Sequence, residues 1–108
     1  MKKKFIFFVL LFNFHIEKTN SIDLEKGEKI FTTNCLVCHE YGNNIIIAEK
    51  NLKKENLRTN GMNSITSITY QVTNGKNGMP AFGGRLREDN IVDVAAYILD
   101  QSQKNFQK

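Results

Sequence analysis

The sequence is poor in the residues that cross-link or anchor small proteins. Its 108 residues include no tryptophan, one proline and two cysteines, so a network of several disulfide bonds is excluded. The longest apolar run has only eight residues, Phe5 to Phe12, whereas a membrane-spanning helix needs about 20. The charges are interspersed and form no basic stripe, which argues against a nucleic-acid-binding protein.

The first residues have the order of a secretory signal, which is a basic end followed by an apolar core. Lysines at positions 2–4 precede the apolar run. No Ala-x-Ala site follows, and we predict a signal peptide over residues 1–21, with cleavage after Ser21. An uncleaved N-terminal anchor is the alternative. The absence of a long transit sequence indicates a single membrane crossing, as in a bacterial or plastid-encoded protein.

Cleavage there would leave residues 22–108, a single domain with almost no net charge. The leader holds four of the 15 basic residues and one of the 11 acidic residues, so the domain keeps a net charge of +1. A domain of this size buries only a modest apolar core. We therefore expect a bound cofactor to supply part of its apolar contact area.

The most informative stretch is the Cys-x-x-Cys-His motif from Cys35 to His39, which is typical of covalent haem attachment. Cys35 and Cys38, three residues apart on a helical turn, face one side and can reach two substituents on one porphyrin edge. His39 then brings a nitrogen to the iron. A small disulfide, a thiol-exchange dithiol and a zinc site are the alternatives. A closed zinc site needs four ligands, and outside the leader, which contains His15, only these three good ligands are present.

A second informative stretch, residues 75–84, has four glycines and the only proline within ten residues. Such a composition excludes a regular helix or strand, and we expect it to run in extended form along a flat surface. Its Met79 offers a thioether, a soft ligand suited to haem iron. We predict Met79 as the distal ligand of the iron and assign Met62 to the core.

Apolar spacing predicts a helix from Leu24 to Asn34, capped by Asp23, with Leu24, Gly27, Ile30 and Phe31 on one face. A glycine within a helix indicates that another helix crosses closely. The expected partner is a last helix over residues 88–101, whose apolar stripe consists of Ile91, Val94, Ala95 and Ile98.

The middle of the chain is less clearly patterned. A short helix is expected over residues 52–58, with Leu52 and Leu57 facing inward. Residues 64–74 contain many β-branched residues, which favour a strand. Ser64 as a cap and Gly75 as a stop favour a helix instead, and we predict a helix there.

Together these segments resemble the cytochrome c6 family, the small class I cytochromes of algae and cyanobacteria. The resemblance rests on the haem motif, on residues 75–86 and on Asp-Leu-Glu-Lys-Gly-Glu-Lys-Ile-Phe at 23–31, and it extends to about Gln103. It implies an all-α class I cytochrome c fold of about four helices around one haem c. The haem would be bound covalently through Cys35 and Cys38, with His39 and Met79 on the iron.

The resemblance also implies a single-electron carrier rather than an enzyme. Its partners would be the cytochrome b6f complex and photosystem I, which it would meet in the thylakoid lumen as a soluble monomer. Arg85 matches an arginine that helps docking on photosystem I, and Gln71 matches a glutamine near the haem. One departure is that Leu86-Arg87 precedes the last helix where a Ser or Thr cap is usual.

Two rival functions remain at this point. A periplasmic class I cytochrome that donates electrons to a terminal oxidase or other reductase would have the same site chemistry. A haem enzyme such as a peroxidase would need an open or labile sixth position on the iron, which a bound methionine would close.

Overall fold

The structure, a computed structural model, describes residues 21–107. This part of the chain contains five α-helices and no β-sheet: α1 (Leu24–Asn34), α2 (Leu36–His39), α3 (Lys54–Thr59), α4 (Ile65–Asn74) and α5 (Glu88–Ser102). Short 3-10 helices cover Glu40–Gly42 and Ala48–Lys50. No helix within residues 21–107 is long and apolar enough to cross a membrane. Apart from Ser21, the predicted signal peptide lies outside the described residues.

Helix α1 has the bounds predicted from the sequence. The Asp23 carboxylate accepts a hydrogen bond from the Lys26 N–H at 3.0 Å and so caps the first turn. Gly27 and Phe31 are buried, as predicted. Leu24, expected on the same face, is instead 43% exposed because it lies one turn before the point where α1 meets α5.

Helices α1 and α5 cross closely at Gly27, which confirms the prediction made from this glycine. A Cβ atom at Gly27 would lie 2.9 Å from Tyr97 Cβ and 2.8 Å from the backbone carbon of Asp93. The buried Asp93 carboxylate accepts the Asp23 N–H at 2.9 Å. This hydrogen bond joins the N-terminal end of α1 to α5.

The core is built around the predicted stripe of α5. Its four members are buried, and they pack with side chains from α1, α3, α4 and the loop before α5: Phe31, Leu57, Ile68, Val72 and Phe82. The α4 segment is helical, as predicted. The Ser64 hydroxyl caps its first turn by accepting the Ser67 N–H at 3.1 Å. The helix ends at Gly75, whose φ is +71°.

Helices α3 and α5 begin without a side-chain capping hydrogen bond from the residue at the N-cap. Helix α3 begins at Lys54, two residues later than expected, because Lys53 is extended and the Leu52 N–H bonds to Gly42 O at 2.7 Å. Helix α5 begins after Arg87, which makes no capping hydrogen bond. The missing cap was predicted from the sequence.

Candidate haem site

The Cys-x-x-Cys-His motif forms one helical turn directly after α1. The Cys35 N–H bonds to Phe31 O at 2.8 Å and ends α1, and the His39 N–H bonds to Cys35 O at 2.9 Å within α2. Both cysteines are partly buried free thiols. The turn places the two thiols and the imidazole at the wall of one cavity.

Burial changes the chemistry of the first thiol. Burial, together with a smaller contribution from the neighbouring Cys38, raises the pKa of Cys35 to about 11. Thiol exchange needs a thiolate, and reactive cysteines have lowered pKa values. The shift therefore argues against the dithiol alternative. Within residues 21–107 there is no group of three or more His, Cys, Asp or Glu side chains placed to hold a metal ion.

The imidazole of His39 is held by the loop that follows it. Its Nδ1 lies 2.8 Å from the carbonyl oxygen of Asn43. A carbonyl only accepts, so Nδ1 carries the proton and Nε2 keeps the lone pair that a metal needs. Burial lowers the pKa of His39, partly offset by the hydrogen bond to Asn43. The neutral, ligating form is therefore favoured.

Met79 lies in a tight turn rather than in the extended segment expected from the sequence. Lys76 and Met79 exchange two backbone hydrogen bonds, at 2.9 and 3.0 Å, and Asn77 between them has a φ of +55°. A Cβ atom at Gly75 would lie 2.6 Å from Met79 O, so only glycine fits there. The glycines thus close the loop on itself instead of flattening it.

The end of this loop is fixed against α4. The N–H groups of Phe82 and Gly83 bond to the carbonyls of Val72 and Thr73, at 2.9 and 3.0 Å. The Phe82 ring is buried. Met79 is therefore held between the end of α4, which precedes it, and the buried Phe82, which follows it.

All four predicted site residues line a single cavity of about 300 Å³. Met62, assigned to the core, packs against the core and also lines this cavity. Its walls are largely apolar and come from α4, α5 and the loops, including Leu57, Ile68, Val72, Phe82 and Ile98. The arrangement fits a flat apolar group with one edge at the thiols and donor atoms from His39 and Met79.

Two further residues singled out from the sequence lie around Met79. Gln71 lines the cavity, and its amide nitrogen lies 3.9 Å from the sulfur of Met79, within hydrogen-bonding range for sulfur. Arg85 is exposed and does not line the cavity. Its guanidinium carbon lies 4.7 Å from the centre of the Phe82 ring, a cation–π contact with a cavity residue.

Part of the cavity rim was not predicted from the sequence. Val37 and Ile46 line the cavity and are 78% and 55% exposed, so they present apolar surface at its mouth. A Cβ atom at Gly78 would lie 2.7 Å from Ile46 Cδ1, so the methionine loop packs against this rim. The run Ile45-Ile46-Ile47, apolar but outside any helix pattern, was the available signal.

A small α-helical domain with a Cys-x-x-Cys-His turn on its cavity, faced by a methionine loop, defines the class I c-type cytochromes. The family model described as cytochrome c oxidase, cbb3-type, subunit III matches residues 23–98. Cytochrome c6 of Bumilleriopsis filiformis is 61% identical over 84 residues, 78% of this chain and 98% of that protein. Cytochrome c6 of Pyropia yezoensis is 49% identical and covers 98% of this chain and 100% of its own length.

A solved structure agrees with these sequence matches. The crystal structure of cytochrome c6 from the diatom Phaeodactylum tricornutum superposes with a TM-score of 0.74 at 48% identity, covering 77% of this chain and 98% of its own. The chain belongs to the cytochrome c6 family. Membership makes it an electron-transfer protein that works with redox partners and implies a covalently bound haem c.

Proposed function

We propose that this protein carries single electrons from the cytochrome b6f complex to photosystem I in the thylakoid lumen. Residues 1–21 would direct export and be removed, and residues 22–108 would act as a soluble monomer. The proposal is supported by relatives named cytochrome c6 whose length this chain covers almost completely. It is also supported by the arrangement of the site.

The site proposal assigns Cys35 and Cys38 to thioether bonds with one haem, and His39 and Met79 to its iron. The observation that carries it is that the four side chains line one apolar cavity. The donor set fits, because a neutral imidazole and a thioether both bind haem iron. A haem c held there supplies one-electron chemistry at its iron.

The way in which His39 and Met79 are held favours an electron carrier over an enzyme. His39 and Met79 would both bind the haem iron, and with both bound the iron would have no free position for oxygen or peroxide. The Asn43 carbonyl fixes the His39 ring, and the closed turn at Lys76–Met79 fixes the sulfur. A site with so little freedom suits electron transfer, which requires little rearrangement, and disfavours the peroxidase alternative.

The surface around the cavity suits brief encounters with a partner. Val37 and Ile46 offer apolar contact at the mouth. Lys76 lies at the cavity, and Arg85 is held over Phe82 nearby. Positive side chains beside an apolar contact steer association and orient it more than they tighten it. We assign the apolar rim to contact and Lys76 and Arg85 to orientation.

The alternative partner is a terminal oxidase or other reductase. The description of the matching family model is that of an oxidase subunit, which is the one observation that favours it. Relatives covered to 98% or more of their length are named cytochrome c6, so we retain photosystem I as the acceptor.

The two partners are separated by electron-transfer rates to isolated photosystem I. We expect Arg85→Glu to slow this reaction at least tenfold at low ionic strength, with the difference shrinking as salt is added. Arg87→Glu is the matched control, because Arg87 is exposed, bonds to Asp89 at 3.1 Å and does not line the cavity. Equal rates for the two variants would refute the role of Arg85, and no reaction of the unmutated protein would refute the acceptor.

A further inference from the structure

A short tail after α5 folds back onto the domain. Backbone hydrogen bonds of 2.9–3.0 Å hold residues 104–106 against the end of α5. Asn105 and Phe106 have φ values of +51° and +60°, a region that residues with side chains rarely adopt. Two consecutive residues in this region indicate that tertiary contacts hold the tail in place.

The first of these contacts is made by Asn105. Its side-chain oxygen accepts the N–H of Lys54, the first residue of α3, at 3.1 Å. The residue at the N-cap of α3, Lys53, makes no side-chain capping bond of its own. The tail therefore caps α3 from 51 residues away in the chain.

The second contact is made by the Phe106 ring, which lies directly on Gly42. A Cβ atom at Gly42 would lie 2.5 Å from Phe106 Cδ1 and 2.9 Å from Cγ. Gly42 is buried, and its φ is +80°. The ring also packs on Phe31, with a distance of 5.9 Å between ring centroids. Phe106 is thus wedged between α1 and the loop after His39.

Gly42, which lies against the Phe106 ring, sets the position of the hydrogen-bond acceptor of His39. Gly42 immediately precedes Asn43, whose carbonyl accepts the His39 Nδ1–H at 2.8 Å. The Gly42 carbonyl accepts the Leu52 N–H at 2.7 Å, which fixes the same peptide from its other side. Moving Gly42 would therefore move the acceptor that orients the imidazole.

We propose that Phe106 is a positioning residue for His39, acting through Gly42 and the Asn43 carbonyl. The role rests on the proposed function, in which His39 binds the haem iron. The tail would then be part of the haem site, although none of its residues lines the cavity.

The test compares Phe106→Leu with Tyr97→Leu in the haem-loaded protein. Both rings pack on Phe31, at 5.9 and 5.5 Å, but the atoms nearest to Gly42 belong to Phe106, whereas Tyr97 lies against Gly27. The readout is hydrogen exchange of the His39 Nδ1 proton in the reduced protein by NMR, divided by the exchange of the slowest α5 amides. This ratio removes the effect of global stability.

We expect Phe106→Leu to raise the exchange ratio at least tenfold, Tyr97→Leu to leave it within twofold, and Phe106→Tyr to restore it. Equal ratios for the two leucine variants would overturn the proposal. The visible spectrum of the unmutated protein tests the proposed function separately. Absent haem bands would refute the haem site, whereas normal bands with unchanged His39 exchange would refute only the role of Phe106.

Discussion

Replacing Gly27 by alanine tests the helix crossing that leads into the haem motif. Helix α1 ends at Asn34, and Cys35 follows as its C-cap, so the placement of α1 against α5 sets where the motif begins. The added methyl group would overlap the backbone of Asp93 and lie 2.9 Å from Tyr97 Cβ. Backbone atoms of a helix cannot yield as the end of a flexible side chain does, so we expect α1 to move away from α5.

The cost of this move follows from three contributions. Overpacking of a tight contact costs about 1–3 kcal/mol. Alanine has a better helix propensity, which returns about 1 kcal/mol. Separating the helices also lengthens the 2.9 Å hydrogen bond from the Asp23 N–H to Asp93, at about 1 kcal/mol. The expected net loss is about 1–3 kcal/mol, or about 4–24 °C in Tm for a domain of this size.

The assay is thermal unfolding of the haem-loaded protein, followed by circular dichroism. Thr33→Ala, an exposed position in the same helix, is the matched control and should be neutral or slightly stabilising because alanine is the better helix former. The sign of the effect is decisive. A Tm for Gly27→Ala equal to or above that of the unmutated protein would show that the close crossing is absent.

Two further changes test the α4 helix and the surroundings of Met79. Ser64→Ala removes the hydroxyl that accepts the Ser67 N–H and should lower the free energy of unfolding, measured by chemical denaturation, by about 1 kcal/mol. Ser64→Asp can still cap the helix and should not lower it. Equal losses for the two variants would contradict the capping role. Gln71→Val removes the amide 3.9 Å from the Met79 sulfur. This donor withdraws electron density from the sulfur and favours ferrous iron, so its loss should lower the reduction potential. The expected shift is about 20–40 mV, which corresponds to about 0.5–1 kcal/mol for a weak hydrogen bond in a one-electron couple. An unchanged or higher potential in voltammetry would exclude this role of Gln71.

Much of the fold could be predicted because its signals are local. Asp23 and Ser64 cap their helices through bonds to the N–H three residues later, so spacing along the chain was sufficient. The stripe of α5 repeats at three- and four-residue steps, and all its members are buried. Gly27 also predicted a helix crossing, since a glycine inside a helix has no local benefit.

What could not be predicted depends on contacts between distant residues or on backbone atoms. The first N–H of α3 is capped by Asn105, 51 residues away, and no local pattern reveals this contact. The partner of His39 is the carbonyl of Asn43, a group that every residue carries. The segment Lys76–Met79 was expected to be extended, but it forms a tight turn. The turn depends on the close approach of Gly75 to Met79 O, and the sequence does not show which of the glycines makes this contact.

The central claim, that His39 and Met79 complete a closed haem site, is tested most directly by the visible spectrum of the purified protein. The oxidised protein should show the absorption band of sulfur bound to ferric iron. The band should disappear in Met79→Ala and persist in Met62→Ala, the other methionine at the cavity. Absence of the band in the unmutated protein, or its survival in Met79→Ala, would contradict the account.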